Sequence, residues 1–251
     1  MKKLTEDAIQ WIKDYFKAHN QTKAVIGISG GKDSSVVAAL CVAALGKANV
    51  FGVLMPCGIQ SDIKDSYQLV DHLGIAHDVV DIKEAVDAIL NAIPNAPESY
   101  DAKTNLPARI RMSTLYCYAQ TIGGMVANTC NLSEDVVGYA TLYGDSAGSF
   151  SPLSRLTTEE IVEIGDDLGL PFNLTHKVPV DGLQPKTDED KLGFTYHEVN
   201  ELIREGKKGP NFDKIMRMYK ANKFKTEIIQ IPAFEPNEYG HQLKNCLHRF
   251  V

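Results

Sequence analysis

Ser29, Gly30, Gly31, Lys32, Asp33, Ser34 and Ser35 follow one another without a break, directly after the apolar run Ala24-Val25-Ile26-Gly27-Ile28. Hydroxyls, paired glycines and an acid in this order suit the holding of a phosphate chain. Val25, Ile26 and Ile28 fit a buried parallel strand, and the two glycines let the backbone turn sharply and bring its N–H groups close to an oxyanion. The pattern predicts a helix over 33–45 with Asp33, Ser34 and Ser35 in its first turn. Free N–H groups and the positive end of the helix dipole make that terminus an anion site. The bland alternative is an ordinary tight turn from strand to helix.

The loop differs from two better-known phosphate loops. A Walker A loop needs glycine where this chain has Ile26 and a hydroxyl after the lysine, where it has Asp33. A dinucleotide fingerprint needs glycines separated by one residue, whereas Gly30 and Gly31 are adjacent. Ser-Gly-Gly-x-Asp-Ser instead resembles the pyrophosphate loop of the ATP pyrophosphatases, which adenylate a substrate and release pyrophosphate.

Strand-like runs at 24–28, 50–55, 76–82 and 125–128 alternate with helical patterns at 33–45, 62–73, 84–93 and 106–122, the spacing of βαβ units. Residues 1–20 read as an amphipathic helix, 94–105 with their two prolines as a loop, and 131–138 as a loop running into a helix. Parallel strands joined by helices place ligand sites at their carboxyl ends, so function is expected before Ser29, after Leu54 and after Ala127. The expected architecture is a three-layer α/β fold, doubly wound about a mostly parallel sheet of the adenine nucleotide hydrolase type. A single domain spanning 1–251 is expected.

Composition narrows the classes. The chain has 251 residues, 26 Lys and Arg against 32 Asp and Glu, and a net charge of −6, which argues against a nucleic-acid binder. No apolar stretch approaches a membrane span and the amino terminus lacks a signal-like apolar run, so a cytoplasmic protein is expected. Five cysteines, Cys41, Cys57, Cys117, Cys130 and Cys246, are scattered without a Cys-x-x-Cys pair. They suit small buried residues better than a disulfide framework or a zinc site. Cys57 reads as a small strand-end residue, and the seven histidines show no metal-ligand spacing.

Downstream lie Asn128-Thr129-Cys130-Asn131-Leu132-Ser133-Glu134 and Gly138-Tyr139-Ala140-Thr141-Leu142-Tyr143-Gly144-Asp145. Ala108-Arg109-Ile110-Arg111-Met112 precedes them, and Asp188-Glu189-Asp190-Lys191-Leu192-Gly193 with Tyr196 follows. In this order the motifs resemble those of the ammonia-dependent NAD synthetases. The resemblance implies a ligase that adenylates the nicotinate carboxylate of deamido-NAD with ATP, releases pyrophosphate, and lets ammonia attack the acyl-adenylate. It places Gly27, Ile28, Ser29, Gly30, Gly31, Lys32, Asp33, Ser34, Ser35 and Thr129 around ATP, with Ser29 and Asp33 taking part in catalysis. Asp33 and Glu134 would share a Mg²⁺, Arg109 and Lys225 would contact the dinucleotide, and the enzyme would be a homodimer.

Bland readings stand beside these roles: a helix N-cap for Asp33, a solvated helix-start acid for Glu134, a surface arginine for Arg109, packing for Thr129 and a solvated lysine for Lys32. The chain departs from the family pattern at Cys130 (Gly in the family), Leu142 (Lys), Ser149 (an acid), Thr158 (Lys), Val180 (a hydroxyl) and Phe224 (His). A glutaminase region is not expected within these residues, which makes free ammonia the nucleophile. Two alternatives remain open: another adenylating ATP pyrophosphatase, of the GMP synthetase or tRNA-modifying kind, and a nucleotide-binding relative without catalysis.

Overall fold

The computed structural model describes residues 1–177, 187–228 and 230–236. Four strands, β1 (Ala24–Gly27), β2 (Val50–Leu54), β3 (Ala76–Val79) and β4 (Met125–Val126), form a parallel sheet in the order β3-β2-β1-β4. Single parallel bridges, Ala127 to Phe150 and Ser151 to Ala233, continue it beyond β4. Strand β1 is central, and Ala24, Val25 and Ile26 are fully buried. That burial is why its residues are apolar without interruption.

Period-2 alternation splits the strand residues between two cores. Ala24, Ile26, Val50 and Leu54 face helices α1 (Lys3–Ala18), α2 (Lys32–Leu45) and α3 (Ile63–Leu73). Helices α4 (Lys83–Ala92) and α5 (Tyr100–Ile122) cover the other face, where Val25, Val53 and Val126 meet Val86 and Ala119. The outcome is the expected three-layer parallel α/β arrangement. The first layer also takes in α7 (Thr158–Asp167) and α8 (Phe172–Thr175), which follow the short α6 (Leu132–Val137). Phe16 and Phe150 meet edge to face there, each almost wholly enclosed, and burying one such ring contributes roughly 1.5–3 kcal/mol.

A third apolar cluster joins α6 to α9 (Asp188–Leu192), α10 (Tyr196–Glu205) and α11 (Phe212–Asn222), followed by α12 (Phe224–Ile228). It carries the helix that holds Glu134.

Two expectations change. Helix α5 begins at Tyr100, inside the stretch read as a loop, because the Ser99 hydroxyl caps it by accepting from the Ala102 amide. Pro107 lies within that helix and forgoes the bond to the Lys103 carbonyl. Strand β3 ends at Val79 rather than at 82, and three of its four residues are exposed, as suits an edge strand. Cys41 and Cys130 are buried as expected, whereas Cys117 is exposed. No helix among the described residues is long and apolar enough to cross a membrane.

Candidate active site

Strand β1 runs into the loop 28–31, and α2 starts at Lys32. Gly30 takes φ +77, and a Cβ there would lie 2.8 Å from the Ser66 amide nitrogen, so glycine is required by both conformation and space. Gly31 is extended at φ −85 and ψ 167 and does not need its freedom to turn. The Ser29 and Ser34 hydroxyls are 2.9 Å apart, the Gly31 amide donates to Ser29 Oγ at 3.2 Å, and Ser35 Oγ donates to the Gly31 carbonyl at 2.7 Å. These bonds hold the loop in the shape of a cradle. The amides of Lys32, Asp33 and Ser34, in the first turn of α2, have no acceptor within the helix and point at whatever anion it holds.

Asn131 joins the loop to the end of β4. Its Nδ2 donates to Asp33 Oδ1 at 3.0 Å, and its Oδ1 caps α6 by accepting from the Glu134 amide at 3.0 Å. Glu134 closes the capping box by accepting from the Asn131 amide at 3.3 Å. The two acids named for the metal are therefore brought together. Burial, with the Asp33 carboxylate alongside, pushes Glu134 well above the usual carboxylate range, while Lys32 pulls the other way. A cation between the two acids would relieve this repulsion.

Lys32 is not solvated. Its side chain is 7% exposed, and Nζ lies 3.1 Å from Asp33 Oδ2. Burial acts to lower its pKa, but the charges of Asp33, Glu134 and Asp188 outweigh it and raise the value. The sequence could not show this enclosure, because it comes from residues far along the chain. Asp188 is also buried and accepts from the Tyr139 hydroxyl at 2.9 Å. The hydroxyl of the buried Tyr196 has no hydrogen-bond partner. Burial and the carboxylates of Glu134 and Asp188 drive its pKa far up, so it remains a donor.

This orphaned donor and the two converging carboxylates fit a site that takes a cation together with oxyanions. Among the described residues no group of three or more His, Cys, Asp or Glu side chains could hold a metal alone. Two carboxylates completed by phosphate oxygens and water match the preference of Mg²⁺.

The remaining named residues make contacts within the protein. Arg109 is exposed, and its Nε donates to the Leu142 carbonyl at 3.2 Å. Lys225 Nζ donates to the carbonyls of Gly138 and Ala140 at 2.7 and 2.9 Å, pinning the turn after α6. Burial lowers its pKa, with Asp145 acting in the opposite sense. Thr129 lies half-buried at the end of β4, beside the loop that Asn128 organises by donating to the carbonyls of Asp145 and Ala147. Tyr143, 54% exposed, takes φ +58, a conformation that side chains other than glycine rarely adopt.

Three residues escaped the sequence reading. Asn131 was visible only as part of a motif. Arg111, two residues beyond Arg109 and so on the opposite face of α5, donates from Nε to the Met55 carbonyl just after β2 at 3.0 Å. Asn200 belongs to a buried network in which Ser133 Oγ donates to Asn200 Oδ1 at 2.6 Å and Asn200 Nδ2 donates to Thr158 Oγ1 at 3.0 Å. Thr158, 8% exposed, is thus tied into the protein's own packing at the position where the family pattern has lysine. At the other departures, Cys130 is buried with its thiol donating to the Asp145 carbonyl at 3.3 Å, and Ser149 Oγ accepts from the Val126 amide at 3.3 Å. Val180 lies outside the described residues.

A parallel α/β sheet with a Ser-Gly-Gly-Lys-Asp-Ser cradle after its central strand defines a phosphate-binding protein of the ATP-pyrophosphatase class. Residues 4–239 match the family described as NAD synthase, and the chain belongs to it. It is 38% identical over 242 residues to an NH3-dependent NAD⁺ synthetase of Finegoldia magna, covering 94% of this chain and 98% of that one. The solved NMN synthetase of Francisella tularensis superimposes with a TM-score of 0.83 at 31% identity, over 92% of this chain and 97% of that one. An NH3-dependent NAD synthetase of Campylobacter jejuni, solved with a nitrate ion, gives 0.75 at 30% identity over 92% and 99%.

Proposed function

We propose that this protein is an ammonia-dependent NAD synthetase, which amidates deamido-NAD by way of an acyl-adenylate and releases pyrophosphate from ATP. The observation that carries this is the meeting of the β1 cradle with Asp33 and Glu134 through Asn131. A carboxylate cannot expel oxide, so the nicotinate oxygen attacks the α-phosphorus of ATP and pyrophosphate departs. The amides of Lys32, Asp33 and Ser34 and the Ser29 hydroxyl would receive the charge that collects on the leaving oxygens, while Ser34 and Ser35 hold the Gly31 carbonyl. Asp33 and Glu134 would hold Mg²⁺, which neutralises part of that charge when bound. Ammonia then attacks the acyl carbon and AMP leaves.

The proposal includes a cytoplasmic homodimer. Only Pro107 and Ala119 are buried along the 23 residues of α5, which supports a partner surface there. The four cysteines among the described residues are free, which accords with a reducing compartment.

A second acyl substrate, the mononucleotide form that yields NMN, is favoured by one observation. The ammonium of Lys225, a residue matched to a dinucleotide contact, is engaged with this chain's own carbonyls of Gly138 and Ala140. The likeness to the Francisella tularensis NMN synthetase points the same way.

The test is pyrophosphate release with ATP, Mg²⁺ and ammonium, with deamido-NAD or nicotinate mononucleotide as acceptor. A higher kcat/KM with deamido-NAD supports the first substrate, and the reverse preference selects the second. Release with neither acceptor overturns both.

A further inference from the structure

Both oxygens of Asp33 are already bonded. Oδ1 receives the Asn131 amide group at 3.0 Å, and Oδ2 receives the Lys32 ammonium at 3.1 Å. Lys32 is enclosed, with its side chain 7% exposed, and the orphaned hydroxyl of Tyr196 adds a neutral donor to the same acidic surroundings. The pocket thus has a cation of its own, attached by four methylenes to the first residue of α2.

An ammonium 3.1 Å from Asp33 Oδ2 and a divalent ion on the same carboxylate would repel each other strongly in so enclosed a site. Mg²⁺ gives up its water reluctantly and needs several oxyanions in return. Alone it would find two carboxylates and, a few ångströms away, an ammonium whose like charge opposes it in an enclosed site. Arriving with a triphosphate, it brings its own oxygens, and the displaced ammonium gains phosphate oxygens in the cradle whose first turn it shares.

Resting on the metal role proposed above for Asp33 and Glu134, we propose that Lys32 is the resident counter-cation of this pocket. It bars free divalent cations and makes metal entry conditional on the nucleotide, to whose phosphates its ammonium transfers. The lysine is then a positioning residue that fixes the order in which cation and nucleotide assemble.

The probe is Mn²⁺, with free ion counted by electron paramagnetic resonance for wild type, Lys32→Gln and Lys32→Arg, each with and without a non-hydrolysable ATP analogue. Wild type and Lys32→Arg should take up Mn²⁺ only with the nucleotide analogue. Lys32→Gln should bind Mn²⁺ alone roughly ten- to a hundredfold more tightly than wild type, the size of a charged hydrogen bond. Equal binding of Mn²⁺ alone by wild type and Lys32→Gln overturns the counter-cation role while leaving the metal site intact. No protein-bound Mn²⁺ in any variant, even with the analogue, overturns the metal site and the counter-cation role together.

A melting experiment on wild type needs no variant. Mg²⁺ alone should leave the melting temperature unchanged and Mg²⁺ with the analogue should raise it. An equal rise with Mg²⁺ alone overturns the inference.

Discussion

Asn131 Nδ2 donates to Asp33 Oδ1 at 3.0 Å, while the other end of the same amide caps the helix that carries Glu134. One side chain therefore sets the distance between two acids that lie at the ends of different strands. Asn131→Ala should cost about 1–3 kcal/mol of stability, from a lost cap and a lost bond to a charged group. Asn131→Asp keeps a cap acceptor but sets a second carboxylate against Asp33, so its loss of turnover should exceed its loss of stability. Urea unfolding and kcat, measured on both variants, check this; unchanged kcat in both would remove Asn131 from the site.

Asp33→Asn should keep the loop shape and lose pyrophosphate release, with little change in binding of the acyl substrate. Steady-state release and equilibrium binding of that substrate separate the two effects. Normal turnover in Mg²⁺ would mean that Asp33 holds no metal.

Gly30 and Gly31 should respond differently to alanine. At Gly30 the positive φ and a Cβ 2.8 Å from the Ser66 nitrogen leave no room, so Gly30→Ala should destabilise by more than about 2 kcal/mol. At Gly31 a Cβ would meet only Ser29 Oγ at 3.3 Å, so stability should change by less than about 1 kcal/mol. Any large loss of ATP binding in Gly31→Ala would then report on the cradle and not on folding.

Lys225→Met should free the carbonyls of Gly138 and Ala140. Amide exchange across 138–145 should quicken, and KM for the acyl substrate should rise more than kcat falls. A variant with unaltered exchange and raised KM would instead put Lys225 on the substrate directly.

Lys177 Nζ bonds to Asp62 and Asp65 at 2.7 Å each, beside the turn that Gly30 touches. Burial acts to raise the Asp62 pKa, but the hydrogen bonds from Lys177 and Gln60 together with the Lys177 charge outweigh it and hold the carboxyl below its ordinary 3.8. Burial acts to lower Lys177, and the bonds to Asp62 and Asp65 hold it above 10.5. A depressed acid contributes its stability above its unfolded pKa and loses it as pH falls through the folded one. A raised lysine contributes below its unfolded pKa and loses it as pH rises through the folded one. Lys177→Met should therefore cost about 1 kcal/mol across the neutral range, with the gap to wild type closing below roughly pH 4. Denaturant midpoints at pH 7 and pH 3 check the sign.

The cradle was legible because its causes are local. Glycine freedom, strand burial and a helix start all lie within about ten residues, and each leaves its own mark on composition. The three layers were legible for a similar reason, since period-2 and period-3.6 patterns alternate along the first half of the chain. The start of α5 was hidden by Pro94 and Pro97, which marked 94–105 as a loop although the Ser99 cap starts the helix at Tyr100. Lys225 was recognisable by its place in a motif, but its acceptors belong to Gly138 and Ala140.

By itself the sequence determined the phosphate loop, the parallel α/β class and, through ordered motifs, the family. Those follow from short-range sterics and from patterns repeated in one stretch of chain. Only the tertiary structure decided which charges meet: that Lys32 is enclosed by Asp33, Glu134 and Asp188, that Asn131 bridges two strand ends, and that Thr158 belongs to a buried network with Asn200. Charge pairing depends on distance in space, and residues as far apart as 32 and 188 become neighbours only when the third helical cluster packs against the end of the sheet.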